Sequence, residues 1–284
     1  MSEITLENVS FYHGKDTPYQ IKALNNINIT FPHGMITGLI GHTGSGKSTL
    51  VQMFNGLLKP DEGRVLIDRN DIWEKPKDIR NVRFKVGLVM QYPEYQLFEE
   101  TVYKDIAFGP RNSGVREEEL QERVLEAADF AGLDRALLNR SPFDLSGGQK
   151  RRAAIAGIIA MRPDVLVLDE PAAGLDPRGR DSIFDNIRDY QRKCGNTVII
   201  VSHSMEDMAR LCDNLVVMSG GEILLSGDRE AVFEQAKLLT SVGLDVPQIT
   251  QLMNLLRDKG IDVNQGIYTV DQAFEFITNY KNKR

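Results

Sequence analysis

One eight-residue segment, Gly41-His42-Thr43-Gly44-Ser45-Gly46-Lys47-Ser48, constrains this chain more than any other. It fits the pattern G-x-x-x-x-G-K-[ST], and it lies between an apolar run at 35–40 and a segment with helical spacing of apolar residues. Glycines let the backbone curl so that successive N–H groups point inward and form an anion nest. A helix that begins at the end of the loop adds its partial positive charge. The segment therefore predicts a strand–loop–helix cradle for the phosphates of a nucleotide.

The polar residues of this loop have distinct expected roles. Lys47 would reach the β- and γ-phosphates of ATP, and the Ser48 hydroxyl would hold Mg²⁺. The backbone amides of the loop would cradle the phosphate oxygens. The residues expected to bind the nucleotide here are Gly41, His42, Thr43, Gly44, Ser45, Gly46, Lys47 and Ser48.

Composition limits the class of protein. The 284 residues suffice for one large domain or two small ones, and 42% apolar and 26% charged residues are ordinary for a globular chain. The net charge of −6 gives no support to nucleic-acid binding as the main task. We find neither a signal peptide nor an apolar run long enough to span a membrane. Two cysteines without metal-ligand spacing agree with a cytosolic protein.

Hydrophobic patterning predicts an α/β fold with additions. Apolar and polar residues alternate over 4–11 and 27–31, as in half-buried strands, with a polar loop over 12–21 between them. Residues 86–90, 165–168 and 197–201 are almost continuously apolar, as in strands covered on both faces. We predict a P-loop NTPase core with an N-terminal antiparallel β subdomain. A helical insertion subdomain at about 92–161 completes a domain over 1–230.

The remaining residues, 231–284, predict a small C-terminal helical annex. The apolar spacing over 246–258 is typical of an amphipathic helix. Thr269-x-x-Gln272 is a capping-box spacing that opens a last helix. In that helix we expect Ala273, Phe274 and Ile277 to face inward.

Two carboxylates, Asp169 and Glu170, directly follow the buried strand 165–168. The carboxyl end of such a strand is where ligands lie in an open α/β sheet. Asp169 would hold Mg²⁺, and Glu170, which points the other way, would polarise a water for in-line attack on the γ-phosphate. The alternative is a solvated strand end, which the phosphate loop upstream makes the weaker interpretation.

The segment Leu145-Ser146-Gly147-Gly148-Gln149 offers a second anion-binding helix start. One nucleotide already has its cradle at 41–48, so this second start suggests a second nucleotide that is shared with another subunit. The alternative is a plain helix N-cap at Ser146, worth about 1 kcal/mol to the helix.

These motifs follow one another in a fixed order: the phosphate loop, Gln91 after a strand, LSGGQ, LVLDE, and Ser202-His203 after another strand. Over about residues 4–233 the series resembles the ATPase subunits of ATP-binding cassette (ABC) transporters. The resemblance implies that Glu170 is the catalytic base and that His203 contacts the γ-phosphate. It also implies that Gln91 touches Mg²⁺ or the attacking water, and that Thr49 lies near the phosphates.

The same resemblance implies a site that is shared between two subunits. The signature residues Ser146, Gly147, Gly148 and Gln149 would close over the ATP that the opposite subunit holds. Gly174-Leu175-Asp176 would form the D-loop, which lies across the dimer. The family commonly has an aromatic residue that stacks on adenine just after the first strand. Here that place holds His13 with Tyr12 beside it, and either ring could stack.

A longer match narrows the resemblance. QYPEYQLF at 91–98, EETV at 99–102, FGP at 108–110 and SPFD at 141–144 resemble the energy-coupling factor (ECF) ATPases. This resemblance implies an ATP-hydrolysing subunit of an importer for a vitamin or metal ion, peripheral on the cytoplasmic face of the cell membrane. Its partners would be a second, related ABC ATPase subunit, an integral T subunit and a substrate-binding S subunit, with no nucleic acid. The annex is expected to be a dimer contact.

Two alternatives remain open from the sequence. Four acidic residues soon after Gln91 could receive a basic coupling helix, or they could form a solvated acidic face: Glu94, Glu99, Glu100 and Asp105. The whole chain could instead be a soluble ABC ATPase that acts on nucleic acid or as a non-transport regulator. Such proteins usually carry a long coiled coil or two cassettes, and the sequence contains neither.

Overall fold

The computed structural model of this protein describes residues 2–263 and 266–282. Met1, residues 264–265 and residues 283–284 lie outside the described residues. Of these, 264–265 and 283–284 belong to the predicted annex.

The N-terminal strands form an antiparallel sheet. β1 (Ile4–His13) pairs with β2 (Ile21–Phe31) on one side and with β4 (Glu62–Ile67) on the other, and β4 pairs with β5 (Asn70–Asp71). β1 and β2 are longer than the alternation predicts. Their pairing continues to His13 opposite Ile21, so both ends of the expected loop belong to strands.

The main sheet has six strands in the order β10-β9-β3-β8-β7-β6. Its strands are β3 (Ile36–Gly41), β6 (Val86–Val89), β7 (Val165–Asp169), β8 (Thr197–Val201), β9 (Asn214–Ser219) and β10 (Glu222–Asp228). All neighbours are parallel except β10, which is antiparallel to β9. Every residue of β3, β6, β7 and β8 is buried, as predicted for strands covered on both faces.

Seven α-helices accompany the two sheets in the described part of the chain before residue 212. They are α1 (Lys47–Phe54), α2 (Ile79–Lys85), α3 (Val102–Asn112), α4 (Glu117–Ala131), α5 (Gly147–Ile159), α6 (Pro177–Cys194) and α7 (Met205–Leu211). α3, α4 and α5 form the helical insertion between β6 and β7. α2 was not predicted. The helix has seven residues and none is fully buried; only Ile79 and Val82 pack against the core, a spacing too short to stand out in the sequence.

The C-terminal part contains α8 (Arg229–Glu234), α9 (Ala236–Ser241), α10 (Gln248–Asp258) and α11 (Val270–Asn282). Apolar residues of α8, α9 and the segment after them join the main core: Val232, Phe233, Leu239, Leu244 and Val246. α10 and α11 enclose a separate small cluster around Met253, Val263, Ile267 and Ala273. Only the last two helices therefore have a core of their own.

The start of α11 agrees with its predicted capping box. The backbone N–H of Gln272 donates to Thr269 Oγ1 at 3.3 Å, and the backbone N–H of Thr269 donates to Gln272 Oε1 at 3.0 Å. The inward position expected for Phe274 is wrong, because its side chain is 72% exposed. Phe276 packs on the small cluster instead, at the i+3 position from Ala273 that a helical stripe requires.

Within the described residues, no helix is both long and apolar enough to cross a bilayer.

Candidate nucleotide-binding site

The phosphate loop joins the end of β3 to the start of α1, in the middle of the main sheet. Gly44 and Gly46 have φ angles of +82° and +103°, in the left-handed region that favours glycine. A Cβ on Gly41 would lie 2.5 Å from the carbonyl oxygen of Met218, so this position also admits only glycine. The glycine pattern of the sequence therefore corresponds to a tight backbone curl.

Lys47 is the cation of this loop. Its Nζ donates to the backbone carbonyl of Gly41 at 2.6 Å and to that of His42 at 3.0 Å. Burial lowers the pKa of Lys47, and the nearby carboxylates of Glu170 and Asp169 oppose that shift. The ammonium group is therefore partly desolvated, which strengthens its attraction for an anion.

Asp169 lies at the end of β7, beside the start of α1. The Ser48 hydroxyl donates to Asp169 Oδ2 at 3.3 Å. Burial is the main cause that raises the pKa of Asp169, and the hydrogen bond from Ser48 works against it. A hydroxyl and a carboxylate side by side fit Mg²⁺, which prefers oxygen ligands and commonly combines one or two carboxylates with substrate phosphates.

Glu170 is held by two contacts. Its backbone N–H donates to the carbonyl of Val201 at 2.9 Å, and its Oε1 lies 2.8 Å from His203 Nδ1. An ionised carboxylate only accepts hydrogen bonds, so in this contact with an ionised Glu170 the donor would be Nδ1 of His203. The φ angle of Glu170 is +52°, and such strained positions of residues other than glycine cluster at functional sites. The histidine side chain is 81% exposed, whereas that of Glu170 is 14% exposed.

These groups share one cleft of about 970 Å³. Its lining includes all of residues 41–49 except Ser45, together with Gln91, Asp169, Glu170 and His203. Ser45 is instead fully buried beneath the loop. His13 also lines the cleft, and its Nε2 lies 3.2 Å from Thr49 Oγ1. Tyr12 is not among the lining residues, and its ring lies beneath the ammonium group of Lys22 at 5.5 Å. The structure thus brings His13, and not Tyr12, to the place expected for an adenine contact.

Sequence reasoning missed two further segments of this cleft. Ile21, Lys22 and Ala23 line it from β2, and Gly243, Leu244 and Asp245 line it from the segment between α9 and α10. Neither segment carries a motif. Both are distant from the phosphate loop in the sequence, and only the fold brings them to the cleft.

The signature segment lies elsewhere on the same chain. None of Ser146, Gly147, Gly148 and Gln149 lines the cleft that holds Lys47. Ser146 and Gln149 form a capping box at the start of α5, with hydrogen bonds of 2.9 and 3.3 Å. A Cβ on Gly147 would meet nothing within 4 Å, so this helix start faces open space. The two candidate phosphate-binding segments do not meet within one chain.

The four acidic residues after Gln91 do not form a free acidic patch. Glu94 pairs with the buried Arg151 at 2.9 Å, and Glu100 pairs with Lys104. Asp105 accepts the backbone N–H groups of Phe98 and Glu99, both at 3.2 Å. Three of the four carboxylates therefore have partners inside this chain, which weakens the case for an acidic surface that receives a basic helix.

A groove of about 680 Å³ lies at this place instead. Phe98 and Phe108 form its aromatic wall, with ring centroids 4.9 Å apart in an edge-to-face arrangement. Arg80 and Arg83 also line the groove. The surface is apolar and basic.

The sequence model of the family described as "ABC transporter" matches residues 24–173, more than half of the chain. This chain belongs to the ABC transporter family. An "Energy-coupling factor transporter ATP-binding protein EcfA2" from Caldanaerobacter subterraneus subsp. tengcongensis is 52% identical to it over 277 residues, covering 98% of this chain and 97% of that protein. The ABC ATPase function predicted from the order of the motifs is confirmed.

Two solved structures of the ABC transporter family agree with this fold. CbiO1 from Clostridium perfringens, part of the ABC transporter complex CbiONQ, has a TM-score of 0.75 and 39% identity, covering 88% of this chain and 98% of that one. The cassette MJ0796, a dimer in a post-hydrolysis state bound to ADP and Pi, has a TM-score of 0.72 and 28% identity, covering 79% and 98%. The predicted fold class is confirmed.

Proposed function

We propose that this chain is the ATP-hydrolysing subunit of an energy-coupling factor importer and that it acts in a dimer of ATPase subunits. One observation supports an ATP site that is shared between two subunits. The cleft with Lys47, Asp169 and Glu170 lacks the signature residues, which face open space elsewhere on the chain. Closure of two such subunits on ATP would supply each cleft with the signature of the other.

Within that site, residues 41–49 bind the phosphates, and Lys47 compensates their charge. Ser48, Asp169 and Gln91 hold Mg²⁺, which neutralises charge on the β- and γ-phosphate oxygens when it is bound. Ser146, Gly147, Gly148 and Gln149 bind the ATP of the opposite subunit. His13 stacks on adenine, a role supported by its place in the cleft.

Glu170 polarises the attacking water, and His203 positions Glu170. The 2.8 Å contact between them supports this division of roles, since it fixes one carboxylate oxygen and leaves the other to accept a hydrogen bond from water.

Two surfaces suit the proposed partners. The apolar groove at Phe98 and Phe108 suits a helix of the integral T subunit, which in turn joins the substrate-binding S subunit. Exposed apolar residues of α10 and α11 suit a contact with a second, related ATPase subunit: Leu252, Leu255, Val270 and Phe274. The complex would lie on the cytoplasmic face of the cell membrane and take up a vitamin or a metal ion. The acidic net charge gives no support to the alternative of a nucleic-acid ATPase.

Replacing Glu170 by Gln tests the proposed base. Turnover of ATP should fall about 100- to 10,000-fold, because amide nitrogen and oxygen cannot take up a proton at neutral pH. ATP binding should persist, and ATP should hold the variant as a dimer on sizing with light scattering. The matched control is Glu118→Gln on the exposed face of α4, which should keep wild-type turnover. Turnover of Glu170→Gln within twofold of wild type would contradict the assignment.

A further inference from the structure

We propose that Arg180 is a positioning residue for ATP hydrolysis, which holds the His203 segment against the helix that follows the D-loop. This inference rests on the proposed roles of Glu170 and His203. Arg180 lies in the first turn of α6, four residues after Asp176 of the D-loop. It lies outside the cleft that contains the phosphate loop.

Arg180 makes a forked contact with the first turn of α7. Its Nε lies 2.9 Å from both carboxylate oxygens of Asp207, and one terminal nitrogen lies 2.6 Å from Asp207 Oδ2. The same terminal nitrogen donates to the hydroxyl of Ser204. Asp207 is mostly buried, and a forked contact between arginine and carboxylate fixes both distance and orientation. The guanidinium group therefore defines where α7 begins relative to α6.

The two residues that Arg180 contacts also fix the backbone around His203. Ser204 is the N-cap of α7, and its hydroxyl accepts the backbone N–H of Asp207 at 3.3 Å. The backbone N–H of Ser204 donates to the hydroxyl of Ser202 at 3.1 Å. His203 lies between these two serines, so its backbone is held from both sides. Its contact with Glu170 depends on the place of this segment.

A second cleft, of about 770 Å³, joins the same groups. Its lining contains Gly174 and Leu175 of the D-loop, Arg180, and both Glu170 and His203. The D-loop and the proposed catalytic pair thus line one space, and Arg180 and Asp207 line it as well. A shift of the D-loop on dimer closure would reach His203 through this pair.

The chain supplies a matched control in a second ion pair between the same helices. Arg210, in the last turn of α7, contacts Asp181 at 2.5 Å and Asp185 at 2.9 Å on α6. This pair also ties α6 to α7 and lines the same cleft, but it lies at the C-terminal end of α7, whereas His203 precedes the N-terminal end. If helix docking alone mattered, loss of either arginine would have the same effect.

The experiment compares Arg180→Gln, Asp207→Asn, the double variant and Arg210→Gln in the full chain assembled as the active ATPase dimer. Steady-state ATP turnover gives kcat and KM, and thermal unfolding monitors the fold. We expect Arg180→Gln to lower kcat about 10- to 100-fold with KM within twofold, because small displacements of a catalytic group have effects of this size. The double variant should be no worse than the more affected single variant, and Arg210→Gln should keep kcat within twofold.

Two results would overturn the proposal. One is an Arg180→Gln kcat within twofold of wild type; the other is an equal fall for Arg210→Gln, which would make helix docking the cause. If wild-type protein is active but Glu170→Gln and His203→Ala are as active, the proposed function itself fails. If those two variants are inactive while Arg180→Gln is normal, only the positioning role fails.

Discussion

Asp169 is a carboxylate held almost out of contact with water at the mouth of the phosphate loop. Its pKa is raised mainly by burial, so folding favours the protonated form over the ionised one. At neutral pH the ionised group therefore destabilises the fold when no cation is bound. The residue proposed to hold Mg²⁺ thus lowers the stability of the free protein.

Replacing Asp169 by Asn should raise the stability of the nucleotide-free protein and lower its activity. The amide keeps the oxygen that accepts from Ser48 but carries no charge. The gain in unfolding free energy should be present above the folded-state pKa of Asp169. It should vanish as the pH falls below the ordinary value of 3.8, where the wild-type carboxyl is also neutral. Turnover of ATP should fall about 100-fold or more, because a charge that stabilises the transition state is lost.

Urea unfolding at several pH values, with turnover at neutral pH, checks this prediction. The control is Asp262→Asn, at an exposed carboxylate, which should change neither the stability nor its pH dependence. A destabilised Asp169→Asn protein at neutral pH would contradict the burial argument.

At the scale of residues, the sequence predicted those residues of the candidate site that lie within a contiguous motif. Residues 41–48 and Asp169-Glu170 are local patterns whose chemistry requires those residue types. Asp245 and Lys22 line the same cleft, yet nothing near them in the sequence signals it. Likewise Arg180 and Asp207 are separated by 26 intervening residues, and only the packing of α6 on α7 makes them a pair.

At the scale of elements, α5 begins with two glycines. Glycine lowers the stability of a helix, and no contact within the described part of this chain requires glycine at these positions. Neither Gly147 nor Gly148 has a positive φ angle, and a Cβ on Gly148 would meet only Leu175 Cδ2, at an ordinary 3.5 Å. Alanine would therefore fit within this chain. The glycine is explained if another molecule approaches the backbone closely at this helix start.

Replacing Gly148 by Ala should stabilise the isolated chain by about 0.4–1 kcal/mol, because the unfolded chain loses conformational freedom. The same change should lower ATP turnover about tenfold or more, since a methyl group would lie between the signature and the phosphate of the opposite subunit. Thermal unfolding and steady-state turnover measure the two effects.

Gly227→Ala is the matched control for that change. Its Cβ would likewise meet a single atom, Cβ of Ala231 at 3.7 Å, and Gly227 lies in β10, outside the cleft of the phosphate loop. It should leave turnover unchanged. Normal turnover of Gly148→Ala would show that α5 does not approach a nucleotide.

Elements with regular apolar patterns were predictable, and elements defined by pairing or solvent contact were not. β7 and β8 each contain four apolar residues in a row, whereas the short α2 has only Ile79 and Val82 packed against the core. The ends of β1 and β2 are fixed by the pairing between the two strands. The alternation of apolar and polar residues along one strand cannot predict where that pairing ends. Phe274 fits the helical spacing, but the small cluster takes Phe276 instead.

At the scale of the whole molecule, two apolar surfaces lie on different parts of the chain. The groove at Phe98 belongs to the helical insertion, and Phe274 belongs to the last helix. Residues that pack α8 and α9 into the main core lie between 232 and 246, so a truncation after Asp228 would strip that core. Point changes at the two surfaces therefore test the partners more cleanly than truncation does.

Phe98→Glu and Phe274→Glu should separate the two proposed contacts. Burying an unpaired charge in an interface should weaken it about tenfold or more. Phe98→Glu should lose the membrane partner in a mild-detergent pull-down while the ATPase subunits still pair. Phe274→Glu should weaken ATPase pairing on sizing with light scattering. Each variant is the control for the other, and identical defects in both would contradict separate surfaces.

The position of β3 in the middle of the main sheet determines when this strand can pair during synthesis of the chain. Its two neighbours, β8 and β9, begin about 160 and 180 residues later in the chain. At about 5–20 residues per second, β3 leaves the ribosome roughly 8–35 s before either neighbour exists. During that interval a strand that is entirely buried in the folded protein has no partner, which makes it a natural target for a chaperone. Residues 243–245 complete the cleft later still, so a nascent chain acquires its full nucleotide site only near the end of translation.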